Sequence, residues 1–193
     1  MYVFIGSWGN SLNLLAGPYG IARLPMSRTV CVSDTYNHRI MYFVVGNANG
    51  TVIAGSNGKG INSSQLATPV DIQFDAPSNS ILIANCDGNN VIWWALGPSN
   101  WTLIADSSTG IGGCPRGVTT DPMGNIYIAD NGRHRIQFYP VDTINGTTIA
   151  GTTNFAGSNA SLFTYPVSVV LDSQLNLYVS DYNNHRVQKF MRY

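Results

Sequence analysis

One short unit, written four times, governs what this chain can fold into. "SDTYNHRIMYF" begins at Ser33, "ANCDGNNVIWW" at Ala84, "ADNGRHRIQFY" at Ala129 and "SDYNNHRVQKF" at Ser180. The anchor positions Asp34, Asn85, Asp130 and Asp181 are 51, 45 and 51 residues apart. Pro18, Pro69, Pro115 and Pro166 precede their anchors by 15 or 16 residues, and Thr51, Thr102 and Thr147 follow the first three by 17. A unit of this length buries its apolar face only by stacking on its neighbours.

Each unit reads as four short strands. Strand a follows the proline, strand b runs into the anchor ("VCVSD", "ILIAN", "IYIAD", "LYVSD"), strand c starts after the turn, and strand d is "TVIAG", "TLIAD" or "TTIAG". The a–b reversals "DAPSNS", "DPMGN" and "DSQLN" hold the residues that turns need. Composition agrees: all ten acids are Asp, Lys occurs twice, and Gly and Asn each occur twenty times, which is poor helix material. Four antiparallel strands per 45–51 residues is the period of a β-propeller blade.

The sequence therefore predicts an all-β chain, a β-propeller of four-stranded antiparallel blades in one domain over residues 1–193. Blade 1 is expected at 17–55, blade 2 at 68–106, blade 3 at 114–151 and blade 4, with strands a to c, at 165–193. Its missing strand d is expected at residues 2–7, where Val3–Ser7 ("VFIGS") would complete the last blade and hide its edge. Four blades can close on themselves or form an arc of a larger wheel. The abrupt opening "MYVFIGS" has no leader pattern and reads as part of something longer.

"DTYNHRI", "DNGRHRI" and "DYNNHRV", with an upstream Pro-x-Gly and an Asp-ending strand b, resemble NHL repeats. The resemblance covers nearly the whole chain. Unit two departs from it, with Asn85, Asn89 and Asn90 replacing Asp, His and Arg. The resemblance implies a propeller, commonly of five or six blades, so four favour a fragment. It also implies three lines of function: a binding scaffold, a substrate-recognition module of a ubiquitin ligase, and a lyase acting on peptidyl-hydroxyglycine through a histidine-bound metal.

The repeated sets Asp34/His38/Arg39, Asp130/His134/Arg135 and Asp181/His185/Arg186 invite a reading as metal ligands or bases. A shared metal needs its ligand nitrogens at ~2.1 Å, and equivalent residues in different blades do not converge. The sets are therefore read as structural locks. Asp is expected to accept backbone N–H groups across the b–c turn and to pair with the Arg five residues on, while His fills the gap to the next blade. No catalytic residue, metal or cofactor is assigned.

Cys31 reads as a small core residue. Cys86 and Cys114 are expected on one face of neighbouring blades, within reach of a disulfide. N-glycosylation acceptors begin at Asn49, Asn62, Asn100, Asn145 and Asn159, three of them at c–d turns. With the low charge, these features lean towards an extracellular or secretory setting. Arg39, Arg116, Arg133, Arg135 and Arg186 are expected near one face, with Arg116 and Arg133 as candidate binding residues.

Interleaved aspartates and a net charge of zero disfavour nucleic acid, and no apolar run is long enough to span a bilayer. Trp93, Trp94 and Trp101 read as blade packing. The expected function is a non-catalytic scaffold holding a protein, peptide or glycan partner on one face. The ligase module would need RING or B-box Cys/His pairs, which this sequence does not contain, and the lyase would need histidines outside the repeats.

Overall fold

A computed structural model describes residues 7–24, 28–55, 57–97 and 101–192. The chain is an all-β propeller of four antiparallel blades. β1 (Pro18–Arg23), β2 (Thr29–Asp34), β3 (Arg39–Val44) and β4 (Thr51–Ala54) form the first sheet in that order. The second holds β5 (Pro69–Asp75), β6 (Ser80–Asn85), β7 (Asn90–Ala95) and β8 (Trp101–Ala105). The third holds β9 (Pro115–Thr120), β10 (Ile126–Asp130), β11 (Arg135–Tyr139) and β12 (Thr147–Gly151). β13 (Pro166–Leu171), β14 (Leu177–Asp181) and β15 (Arg186–Phe190) make the fourth, three-stranded among the described residues. The strand expected at residues 2–7 lies, apart from Ser7, outside the described residues.

The contacts divide the chain into two compact units, residues 1–88 with 92–102, and residues 89–91 with 103–193. In the first unit, strand a of one blade packs on strand a of the next (β1 on β5), over a core that includes Cys31, Ile40, Leu66, Ile72 and Ile83. In the second unit β9 packs on β13, over Ala129, Ile136, Phe163, Val169 and Val179.

Glycine permits this closeness. A Cβ on Gly20 would lie 2.6 Å from the Val70 carbonyl oxygen, and one on Gly117 would lie 2.8 Å from Ser168 Cα. Trp94 is buried, whereas Trp93 and Trp101 are half-buried.

Two local features differ from the expected pattern. Each strand a begins at its proline rather than after it, and the pairing register slips at that end in all four blades. Proline has no N–H to offer the ladder, so an irregular pairing is tolerated there. The b–c connection in blades 1, 3 and 4 is a three-residue 3-10 turn ending on a left-handed histidine: His38 (φ 55°), His134 (φ 57°) and His185 (φ 53°). The a–b turns are held by Asp75, Asp121 and Asp172, whose carboxylates accept the N–H groups of Ser78, Met123 and Gln174.

Candidate functional site

The repeated acid sits at the buried end of strand b, and its two oxygens face different partners. Asp34 Oδ1 accepts the Ala16 N–H at 2.6 Å, Asp130 Oδ1 that of Gly113 at 3.1 Å and Asp181 Oδ1 that of Thr164 at 2.7 Å. Oδ2 accepts the guanidinium Nε–H of Arg39 (2.6 Å), Arg135 (3.0 Å) or Arg186 (2.8 Å). The acid thus ties down the segment that enters strand a, 17 or 18 residues upstream. It holds the b–c turn not through backbone N–H groups, as the sequence suggested, but in blades 1 and 4 through the Asn37 and Asn184 side-chain amides, each donating to Oδ2 at 2.8 Å.

The arginine completes the clamp. Arg39 donates to the Asn10, Ser11 and Leu14 carbonyls, and Arg186 to those of Ser158, Asn159 and Leu162. Arg135 donates to the Gly110 carbonyl and to Thr148 and Thr153.

Histidine does more than fill space. His38 Nδ1 accepts the Thr68 N–H at 3.1 Å, and His134 Nδ1 accepts that of Tyr165 at 3.1 Å, in each case from the blade that follows. An imidazole used this way carries its proton on Nε2. Burial, with Lys59 nearby, holds His38 below the ordinary histidine pKa, against an opposing pull from Asp87. The His134 ring also meets Tyr165 edge-on at 4.6 Å. Thr35 Oγ1 and Asn131 Nδ2 add bonds to the Pro69 and Pro166 carbonyls of the following blade.

Unit two, which lacks the Asp-His-Arg set, makes equivalent contacts with amides. Asn85 Oδ1 accepts the Ala67 N–H at 2.7 Å, and Asn89 (φ 48°) accepts the Cys114 N–H at 2.9 Å. The donors Thr68 (φ 58°), Cys114 (φ 50°) and Tyr165 (φ 56°) all stand immediately before the entry proline in a left-handed conformation. Sequence reasoning missed them because a backbone donor carries no side-chain signature.

Arg39 and Arg135 do not project from a surface as expected, since both are buried in their clamps. Burial pushes the Asp130 carboxyl up, against the pull of Arg135. Arg133 is half-buried and donates to the Gly110 carbonyl at 3.1 Å. Arg116, also half-buried, keeps a buried Nε–H without an acceptor among the described residues.

Cys31 is a buried free thiol whose pKa burial pushes up to about 12. Cys86 and Cys114 carry no titratable thiol, each being disulfide-bonded. Asn49, Asn62, Asn145 and Asn159 are exposed, and Asn100 lies outside the described residues. A cavity of about 230 Å³ is lined by Tyr127, Phe138 and Ile149 of the third blade and by Leu177, Phe190 and Arg192 of the fourth. No sequence motif pointed to it, since its walls come from separate strands. Among the described residues no cluster of three or more His, Cys or Asp side chains could hold a metal.

The NHL repeat family model matches residues 113–139 and 163–190, the two stretches that carry the third and fourth clamps. The chain carries NHL repeats. NHL repeat-containing protein 3 of Mus musculus is 24% identical to this NHL chain over 190 residues, covering 90% of this chain and 53% of that protein. NHL repeat-containing protein 2 of Bos taurus is 40% identical over 82 residues, covering 38% of this chain and 11% of that one. The chain therefore spans about half the length of the mouse relative.

Solved structures share the fold. A Bacteroides thetaiotaomicron protein of unknown function has a TM-score of 0.73 at 17% identity, over 89% of this chain and 46% of its own. A chain of a nidogen/laminin complex has a TM-score of 0.70 at 19% identity, over 92% and 65%. A streptogramin B lyase has a TM-score of 0.66 at 18% identity, over 91% and 52%.

Proposed function

We propose that this NHL-repeat propeller is a non-catalytic scaffold that holds a protein, peptide or glycan partner on one face. The observation that carries the reading is that the repeated acids and histidines, His185 excepted, are committed to the framework. Asp34, Asp130 and Asp181 each bind a backbone N–H and an arginine, and His38 and His134 each commit Nδ1 to the next blade. A general base or a metal ligand needs that lone pair free.

Arg116 and Arg133 are the contact residues of this proposal. Both are half-buried guanidinium side chains, which favours a partner bringing carboxylate or carbonyl oxygens. We further assign the chain to an oxidising, extracellular or secretory compartment. Supporting this are the disulfide-bonded Cys86 and Cys114 and the exposed acceptors Asn49, Asn62, Asn145 and Asn159. Cys86 stands at the repeat position of Thr35 and Asn131, and Cys114 at that of Thr68 and Tyr165, so a Cys86–Cys114 bond would tie a joint that the other blades tie by hydrogen bonds.

The test is a screen of the purified chain against peptide and glycan arrays. A ligand that binds without being consumed, and whose affinity falls at least tenfold in Arg116→Ala at unchanged melting temperature, is expected. Turnover of a bound ligand, or binding indifferent to both Arg116→Ala and Arg133→Ala, would contradict the proposal.

A further inference from the structure

The blades repeat one joint, and the exposure of its parts changes abruptly at two places. In blades 1 and 3 the residue after the clamp arginine shares a core with the following blade. Ile40 and Ile136 are 0% exposed there, but the matching Val187 is 69% exposed. The third residue after the entry proline of blades 2 and 4 shares a core with the preceding blade. Ile72 and Val169 are 4% and 1% exposed there, but the matching Ile21 is 70% exposed. Pro69, Pro115 and Pro166 are buried, whereas Pro18 is exposed.

The polar half of the joint shows the same break. His185 adopts the left-handed geometry of His38 and His134 (φ 53°, ψ 39°), yet its ring is exposed and has no hydrogen-bond partner among the described residues. Gly17, before Pro18, has the positive φ (58°) of the donors Thr68, Cys114 and Tyr165. Blade 4 thus presents a complete acceptor face, and blade 1 a complete donor face, each of a kind that is buried elsewhere in the chain.

We propose that two copies of this chain join head to tail, with blade 1 of one copy docked on blade 4 of the other. The docked blade would bury Ile21 against Val187 and bring the Gly17 N–H to His185 Nδ1, as Ile72 meets Ile40 and the Thr68 N–H meets His38 within one chain. The occupant is a second copy because its exposed face has the complementary parts in the spacing the joint requires. Such a contact is heterologous, because different surfaces meet, and it closes as a dimer only if each head reaches the other tail.

Sedimentation equilibrium of the chain alone is expected to give twice the monomer mass of 20.9 kDa. Ile21→Asp and Val187→Asp each alter an exposed side chain, so each should fold with unchanged circular dichroism and sediment as a monomer. An equimolar mixture of the two variants should regain a dimer, since one intact head still meets one intact tail. A wild-type chain that stays monomeric up to about 100 µM overturns the proposal. So does a dimer that survives either substitution, since that dimer uses another surface.

Discussion

His38 and Asn89 perform one task with different chemistry. Each is left-handed, and each accepts the N–H of the residue before the next entry proline. What the joint needs there is an acceptor on a side chain that tolerates positive φ, and asparagine meets that need as well as histidine. His38→Asn is therefore expected to keep the melting temperature within about 2 °C, in the range of a neutral substitution. The same substitution should remove a pH dependence.

Protonating His38 destroys its acceptor, and its folded pKa lies below the unfolded value. The folded state then binds fewer protons than the unfolded one, so the histidine's contribution is complete above pH ~6.5 and is lost as pH falls through the folded pKa. Urea titrations at pH 7.5 and 5 should show wild type losing more stability on acidification than His38→Asn. Equal losses would remove His38 from the joint.

At the level of strands and turns, most of the fold was legible because alternation and turn residues recur at a fixed period. β4, β8 and β12 match the expected strand d segments closely, and the a–b turns hold their aspartates where reversal demands an anchor. The interblade bonds were not legible, for a physical reason. Thr68, Cys114 and Tyr165 precede proline, where sequence reads an extended residue, yet all three are left-handed and donate through the backbone. The amides of unit two look like a lost motif when compared as letters, but they preserve its geometry.

The glycines of strand a were visible as a motif, while their cause was not. Gly20 and Gly117 leave no room for a Cβ against the next strand a. Gly117→Val is expected to cost about 1–3 kcal/mol by forcing β9 and β13 apart, read as a lower urea midpoint. An unchanged midpoint would mean that the two strands are free to separate.

For the whole molecule, each clamp is an assembly element rather than a local ornament, because it binds segments 17 or 18 residues away in sequence. A Cys86–Cys114 bond would add a covalent tie across 28 residues, and a loop of that size implies a loss of about 3–4 kcal/mol when it is reduced. Thermal unfolding with and without reductant checks this, and identical curves would contradict the pairing.

The clamps themselves make a graded expectation. Asp130 is raised in pKa by burial despite Arg135, so the ion pair carries a desolvation cost, and removing one partner strands the other charge. The side chains of Arg39 and Arg135 are 10% and 7% exposed, against 29% for Arg186. Water can therefore screen a stranded Arg186 better than the other two.

The most direct measurement is calorimetric unfolding of Asp34→Ala, Asp130→Ala and Asp181→Ala, each alone. If the three aspartates are joints, every variant melts below wild type, with Asp34→Ala and Asp130→Ala losing about 3–5 kcal/mol and Asp181→Ala less. A variant that melts with wild type would show that its aspartate is not part of the framework, and would reopen that position as a site.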